Sequence, residues 1–246
     1  MRDVETITAL GLLASVAITA VSAQTHQAVQ AVKYMPPELI AVQIRAALDA
    51  NEIAAIKIGM VGTQEIILCI AGILQQYPHI HVIVDPVLVS SSGRALLEAN
   101  ALNTLINALF PLATLVTPNL LELAALTKNI VAQNDTEILH QANSLLACVA
   151  KHTNPPALLI KGGHATGPLS RDVLVTSNAP PQWLEAPRLS AQMRGTGCML
   201  SSAIACNLAM AKSLEYSVKL AKNYVFLKMS QPKTNAASIN SEDNYG

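Results

Sequence analysis

A pair of glycines separated by one residue, in the run Gly195-Thr196-Gly197-Cys198, stands immediately before a segment of helical periodicity. Glycine lets the backbone turn tightly, so that successive amides point into one concavity, and the positive end of the following helix adds to them. Such an arrangement binds an anion. A glycine-rich turn that only begins a helix is the alternative, and these four residues alone leave both interpretations open.

Cys198 lies at the predicted start of that helix. The helix dipole and the neighbouring amides favour a thiolate at this position, and a thiolate is a proton acceptor. The alternative is a cysteine that only packs in the core, which is the interpretation we give to Cys69, Cys148 and Cys206.

Three predicted strands are followed by polar residues. Asp85 follows the first, Asn119 and Glu122 follow the second, and Lys161 follows the third within Lys-Gly-Gly-His. Taken singly, each is more typical of a turn, a helix cap or a surface charge. In open parallel sheets, however, ligands bind beyond the carboxyl ends of the strands. A carboxylate can hold Mg²⁺ and an ammonium can neutralise a phosphate, so these residues and the anion site together predict a site for a nucleotide phosphate chain with a metal.

Apolar runs of strand length alternate with longer stretches of helical periodicity, which indicates repeated βα units around a mostly parallel sheet. The predicted strands are residues 15–23, 54–58, 81–84, 114–117 and 157–160, followed by an antiparallel pair at 172–176 and 183–186. The predicted helices are residues 37–50, 63–76, 96–108, 119–126, 136–151, 197–211 and 214–229. Asp135 is the predicted N-cap of the helix that starts at Thr136.

Residues 8–24 are apolar and end in small side chains, as a secretory signal does. Asp3 and Glu5 stand where such a signal carries positive charge, and the stretch is short for a bilayer span. We therefore expect a helix that runs into a buried strand, and no membrane anchor.

The composition favours one large globular domain. Of 246 residues, 51% are hydrophobic and only 13% are charged, so the chain can bury a large core. Sixteen basic residues balance sixteen acidic ones and aromatic residues make up 3%, which argues against nucleic-acid binding. The four cysteines form no CxxC pair, as expected for a protein of the reducing cytoplasm.

The polar motifs occur in the order and approximate spacing of a known family. The matching segments are Ala-Gln ending at 24, Lys-Ile-Gly-Met at 57–60, Asp-Pro-Val at 85–87, Thr-Pro-Asn at 117–119 followed by Glu122, Lys-Gly-Gly-His at 161–164 and Gly-Thr-Gly-Cys at 195–198. Over residues 3–229 the sequence resembles the hydroxymethylpyrimidine/phosphomethylpyrimidine kinases of thiamin biosynthesis, within the ribokinase-like superfamily. Cys198 points to this branch, because the sugar kinases have Asp as the base at that position.

The resemblance implies an α/β fold, a ribokinase-like three-layer α/β/α arrangement with a mostly parallel central sheet flanked by helices. It implies one kinase domain over residues 1–230, followed by a polar C-terminal tail at 231–246. The implied reaction transfers the γ-phosphoryl group of ATP, with Mg²⁺, to the hydroxymethyl group of an aminopyrimidine and then to the phosphate of that product. The resemblance also implies a homodimer.

Roles for individual residues follow from the same resemblance. The amides of Gly195, Thr196, Gly197 and Cys198 are expected to form the anion hole, with Cys198 as the base. The residues expected at the nucleotide are Lys161, Asn119, Glu122 and Asp172, with Asp85 and Glu122 near Mg²⁺. The residues expected to line the pyrimidine pocket are Asp3, Gln24, Met60 and Val87.

Four features depart from the family pattern. The chain starts after the family's first strand and its Gly-rich GxDPSGGAG segment, and the Gly- and His-rich C-terminal segment is replaced by the polar tail. Arg194 stands where the family usually has His, and Ser91 where it often has Lys. Two alternatives therefore stay open: a kinase for another heteroaromatic alcohol such as pyridoxal, and a catalytically impaired nucleotide-binding remnant of the fold.

Overall fold

Strands and helices alternate along most of the chain in a computed structural model, which describes residues 2–25, 28–90, 92–150, 155–162, 167–189 and 193–231. The strands are β1 (Ala20–Gln24), β2 (Val29–Tyr34), β3 (Ala55–Ile58), β4 (His81–Val84), β5 (Leu115–Val116), β6 (Ala157–Lys161), β7 (Leu169–Val175) and β8 (Gln182–Pro187). The helices are α1 (Arg2–Ala9), α2 (Pro37–Ala50), α3 (Gln64–Leu74), α4 (Ala101–Thr104), α5 (Leu120–Thr127), α6 (Asp135–Val149), α7 (Thr196–Ala209) and α8 (Leu214–Ser230).

Six strands form the central sheet in the order β3-β4-β5-β6-β7-β8. Strands β3 to β6 are parallel, whereas β7 and β8 continue the sheet antiparallel. Short runs of Val, Ile and Leu are typical of parallel strands that are covered on both faces. The predicted mostly parallel sheet and the predicted antiparallel pair at its end are confirmed.

The two faces of the sheet carry separate apolar clusters, because side chains alternate along each strand. Val82 and Val84 belong to the cluster that includes residues of α2, α3, α5 and α6. Ile83, between them, packs in the cluster of α7 and α8. The sheet therefore lies between two helical layers, which confirms the predicted three-layer fold.

The predicted buried strand at residues 15–23 is wrong. Within that segment only β1 is a strand, it is exposed over most of its length, and it pairs with β2 in a separate two-stranded antiparallel sheet. The segment is apolar on average, but the small side chains of β1 lack the volume that fills a core. The helix expected to run into this strand is also wrong in its position, because α1 ends at Ala9 and residues 12–19 are neither helix nor strand.

Two helix boundaries also differ from the prediction. The helix expected at residues 96–108 begins only at Ala101, and α4 widens into a π-helical turn at Leu105–Leu109. The N-cap of α6 is Asn134 and not Asp135, because Asn134 has extended backbone geometry and its side chain accepts from the amide of Glu137 at 3.0 Å.

Among the described residues, no helix combines the length and the apolar character that crossing a bilayer requires. The predicted polar tail lies outside the described residues except for Gln231, so the division into a domain at 1–230 and a tail stays a prediction.

Candidate active site

Backbone hydrogen bonds extend the parallel ladder beyond the strand ends and bring the predicted polar residues together. The amide of Asp85 donates to Ile58 at the end of β3, at 2.8 Å, and the amide of Lys161 donates to Pro118, also at 2.8 Å. Asn119 forms a parallel bridge with Lys161. The first residues after β4 and β5 therefore lie beside the end of β6, where the carboxyl ends of the parallel strands meet.

Asp85 and Lys161 form a buried ion pair at this edge. Their side chains are 3% and 14% exposed, and Lys161 Nζ lies 2.7 Å from Asp85 Oδ1, which also accepts from the Thr117 hydroxyl at 3.2 Å. Burial by itself would raise the pKa of Asp85, but the ammonium groups of Lys161 and Lys57 hold it below its ordinary value. Asp85 is therefore a carboxylate and Lys161 an ammonium at neutral pH.

Glu122 joins this pair from the first turn of α5. Its carboxylate accepts from the amide of Asn119 at 2.7 Å, and the Asn119 side chain accepts from the amide of Glu122 at 2.9 Å, so the two form a capping box. The Glu122 carboxylate also lies 3.8 Å from Lys161 Nζ. Burial raises the pKa of Glu122 to about 7, against the opposing effect of Lys161.

The start of α7 lies directly over this cluster. Gly195 is the N-cap, with φ +76°, and the helix begins at Thr196. The first amides of a helix have no acceptor within it, so those of Gly195, Thr196, Gly197 and Cys198 are available to an anion. A Cβ at Gly197 would lie 3.2 Å from Lys161 Nζ and 3.9 Å from Asp85 Oδ2. Glycine at this position therefore lets the positive end of α7 approach the ion pair closely.

Cys198 differs from the expectation of a favoured thiolate. Burial raises the pKa of the Cys198 thiol above its ordinary value, and Asp85 and Asp3 add to that effect, while Lys57 and Lys161 oppose it. The sequence shows the helix terminus that favours ionisation, but the burial and the two carboxylates that disfavour it come from the tertiary structure. Without a ligand, the thiol form is favoured.

Asp172 lies beside Lys161 across the β6–β7 ladder. One carboxylate oxygen accepts from the amide of Gly162 at 2.9 Å, and the other pairs with Lys222 of α8. A Cβ at Gly162 would stand 2.0 Å from the carbonyl oxygen of Arg171, so the backbone after Lys161 packs closely against β7. Asp172 thus holds the residue that follows Lys161.

The residues expected in the pyrimidine pocket come from different parts of the fold. Asp3, on α1, pairs with Lys57 and accepts from the hydroxyl of Ser202 at 2.8 Å. Met60 and Val87 are half-buried beyond the ends of β3 and β4.

Gln24 is exposed at the end of β1, on the two-stranded sheet. The next residue, Thr25, accepts a hydrogen bond through its carbonyl from Arg194 Nη1 at 2.8 Å. This contact brings the two-stranded sheet to the residue that precedes Gly195.

Lys57 is a site residue that the motif analysis left without a role, although it lies within Lys-Ile-Gly-Met. Its ammonium lies 3.1 and 3.2 Å from the two carboxylate oxygens of Asp3. The signal in the sequence is a lysine inside an otherwise apolar strand, which is unusual for a buried position.

The donor set suits a metal that ligand phosphates help to hold. Within the ranges that the structure describes, no three Asp, Glu, His or Cys side chains converge as a metal site made by protein alone would require. Asp85 and Glu122 do supply carboxylate oxygens beside Lys161, whose ammonium lies at the start of α7. Mg²⁺ is commonly bound by one or two carboxylates together with substrate phosphates. Three positions named from the sequence, Ser91, Gly163 and His164, lie outside the described residues.

Comparison with known proteins identifies the family. The family model for phosphomethylpyrimidine kinase matches residues 1–241. The hydroxymethylpyrimidine/phosphomethylpyrimidine kinase of Rhizobium meliloti is 37% identical over 229 residues, which cover 93% of this chain and 84% of that protein.

Solved structures agree with this relationship. The crystal structure of phosphomethylpyrimidine kinase from Clostridium difficile has a TM-score of 0.77 at 34% identity, covering 92% of this chain and 90% of that one. Pyridoxal kinase from Staphylococcus aureus, in complex with AMP-PCP and pyridoxal, has a TM-score of 0.82 at 26% identity, covering 96% and 84%. The chain therefore belongs to the phosphomethylpyrimidine kinase family.

Proposed function

We propose that the protein transfers the γ-phosphoryl group of ATP to 4-amino-5-hydroxymethyl-2-methylpyrimidine, and then a second one to the resulting monophosphate, in thiamin biosynthesis. The observation that carries the proposal is the contact of the α7 start with the Asp85–Lys161–Glu122 cluster. Free amides, a helix N-terminus and a buried ammonium together match a phosphoryl group in charge and in hydrogen-bonding capacity. The identity of the acceptor is inferred from the relatives, which are hydroxymethylpyrimidine/phosphomethylpyrimidine kinases.

In this scheme the protein supplies position and charge. The amides of Gly195 to Cys198 and the ammonium of Lys161 face the transferred group, whose negative charge spreads over its oxygens in the transition state. As the acceptor oxygen bonds to the γ-phosphorus, the bond to the β-phosphate oxygen breaks and ADP leaves. The hydroxyl proton passes to Cys198 once that residue is ionised. The second transfer is to a phosphate oxygen that is already anionic, so it needs no such base.

Mg²⁺ fits this site beside Asp85 and Glu122, with the remaining ligands coming from the nucleotide phosphates and water. The metal would neutralise charge on the β- and γ-phosphates. Asn119 positions Glu122 through the capping box. Asp172 acts on the nucleotide through Gly162 and Lys161, because its own oxygens are engaged by Gly162 and Lys222.

The acceptor ring would lie between Met60 and Val87 on the sheet side and Gln24 on the two-stranded sheet. An amide such as Gln24 can hydrogen-bond to a ring nitrogen or to the exocyclic amine, and apolar side chains suit the faces of a flat heterocycle. Asp3 would accept from the amine at the α1 side. Free thiols, including those at Cys198 and Cys206, support a cytoplasmic setting.

A second copy of the chain is the partner we propose. Exposed apolar side chains gather on α2, β1 and the segment before β1, where Gln43 of α2 hydrogen-bonds to the backbone of Ile18. This N-terminal apolar surface consists of Leu13, Val16, Ile18, Val21, Leu39 and Val42. Exposed apolar surface of this kind commonly marks an interaction site, and most soluble oligomers consist of identical subunits.

The test is ATP consumption by the purified chain with Mg²⁺, comparing hydroxymethylpyrimidine, its monophosphate, pyridoxal and no acceptor. We expect turnover with the two pyrimidines. Cys198→Ala tests the role of the base. It is expected to lower turnover of hydroxymethylpyrimidine at least about tenfold while ATP affinity stays nearly unchanged.

Two other results would contradict the proposal. Preference for pyridoxal would identify the chain as a pyridoxal kinase, the alternative that the similarity in fold to pyridoxal kinase favours. ATP binding without turnover of any acceptor would identify an impaired nucleotide-binding protein.

A further inference from the structure

Lys57 presents a buried positive charge to the side of the sheet that α7 covers. Its neighbours Ile56 and Ile58 pack in the cluster of α2 and α3, whereas Ala55 packs in the cluster of α7 and α8. Because side chains alternate along a strand, Lys57 points with Ala55 towards α7. Its side chain is 6% exposed, and a Cβ at Gly59 would lie only 2.9 Å from its Nζ. Glycine at position 59 thus leaves the room that the ammonium needs.

Asp3 connects Lys57 to the helix that carries Cys198. The Asp3 carboxylate pairs with Lys57 through both oxygens and accepts from the hydroxyl of Ser202 at 2.8 Å. Cys198 precedes Ser202 by four residues on α7, so the two side chains lie on the same face of the helix, one turn apart. Lys57 is therefore clamped against the face of α7 from which Cys198 projects.

Four charged groups act electrostatically on Cys198, each from a different part of the fold. Lys57 comes from β3, Lys161 from β6, Asp85 from the end of β4 and Asp3 from α1. Lys161 already lies 2.7 Å from Asp85, whereas the partner of Lys57, Asp3, is 41% exposed and so is partly screened by solvent. Of the two cations, Lys57 therefore has the less neutralised charge.

Lys57 and Cys198 each influence the pKa of the other. Burial by itself would lower the pKa of Lys57, but Cys198, Asp85 and Asp3 hold it above its ordinary value. Burial raises the pKa of Cys198, and Lys57 is foremost among the groups that oppose this effect. The ammonium of Lys57 therefore favours the thiolate of Cys198, and the thiolate in turn favours the ammonium.

We propose that Lys57 is a positioning residue whose ammonium, clamped by Asp3 against α7, stabilises the thiolate form of Cys198. This inference rests on the proposed function, which makes Cys198 the proton acceptor for the substrate hydroxyl. Lys161 and the amides of Gly195 to Cys198 then stabilise the phosphoryl group, whereas Lys57 stabilises the ionised form of the base, Cys198.

The experiment measures alkylation of Cys198 by iodoacetamide against pH, in the full chain without ATP or acceptor, by mass spectrometry of the cysteine peptides. Alkylation follows the thiolate, and the exposed Cys148 provides a reference thiol in the same sample. We expect Lys57→Met to move the Cys198 midpoint upward by about one pH unit, which corresponds to about 1.4 kcal/mol. Lys57→Arg, which keeps the charge, should keep most of the wild-type midpoint, and Lys161→Met should give a smaller upward shift than Lys57→Met.

Lys219→Met removes an exposed lysine of α8 and controls for charge loss in general; its Cys198 midpoint should match the wild type. An unchanged Cys198 midpoint in folded Lys57→Met would overturn the proposal, whatever the kinase assay gives. Equal shifts in Lys57→Arg and Lys57→Met would also overturn it, because the charge would then be irrelevant. An upward shift in a chain without kinase activity would leave this inference standing and refute the proposed function instead.

Discussion

Glu122 serves the fold and the ligand site with one carboxylate. It closes the capping box of α5 with Asn119 and lies 3.8 Å from Lys161 Nζ. Because burial raises its pKa to about 7, the group is half protonated near neutral pH in the absence of ligand. A metal ligand must give up its proton, so binding of the metal and the ionisation of Glu122 are coupled.

This coupling predicts a pH-dependent affinity for the Mg²⁺ complex of AMP-PCP, measured by titration calorimetry between pH 6 and pH 8. Below about pH 7 the complex must displace a proton from Glu122, so affinity should rise with pH and level off above that value. Glu122→Gln, which can still complete the capping box, should bind more weakly and lose most of the pH dependence. Glu98→Gln, at an exposed site, is the control and should behave as the wild type. The same slope in Glu122→Gln and the wild type would show that another group is responsible.

At the scale of the elements, the site depends on how closely β6 and β7 approach beyond Lys161. Asp172 of β7 holds the amide of Gly162, and the carbonyl of Arg171 occupies the space where a side chain at 162 would be. The contact is with backbone, so it cannot be relieved by a change of rotamer. The position of Lys161 is therefore set by the pairing of the two strands.

Gly162→Ala should separate these strands locally and displace Lys161. We expect a loss of about 1–3 kcal/mol in the free energy of unfolding, from urea titrations, together with weaker ATP binding. Gly72→Ala is a matched control, because this helical glycine of α3 has no atom within 4 Å of the added Cβ and alanine favours helix by up to about 1 kcal/mol. Equal stability and ATP affinity in the two variants would contradict this account of Lys161.

At the scale of the whole molecule, the N-terminal apolar surface is the feature that the fold itself does not use. Leu13 is 99% exposed and Val42 63% exposed, and the exposed large aliphatic residues outside this surface, such as Ile130, lie on other parts of the fold. Covering this surface by a second copy would remove it from water and add to the stability of both subunits.

Val16→Glu combined with Val42→Glu should convert the proposed dimer to a monomer, because each added carboxylate would have to be buried at the interface. Light scattering coupled to size-exclusion chromatography measures the mass directly. Ile130→Glu places one such carboxylate at a position that is 82% exposed on another part of the surface, and it should leave the dimer intact. A monomeric wild-type chain would refute the proposal, and a double variant that stays dimeric would place the interface elsewhere.

The sequence by itself determined the parallel sheet, its antiparallel end and the polar residues at the strand ends, because strand periodicity and the Asp-Pro, Pro-Asn and Gly-Thr-Gly punctuation are local signals. It also determined that helices begin near Asn119 and after Gly195, since both starts depend on neighbours a few residues apart.

Only the tertiary structure decided the ionisation of Cys198 and the role of Lys57, because burial and charges from α1, β3, β4 and β6 add up in three dimensions. It also decided that β1 pairs with β2 outside the central sheet. Small apolar residues suit either a core or an exposed ribbon, and which of the two they form depends on the partners that the rest of the fold supplies.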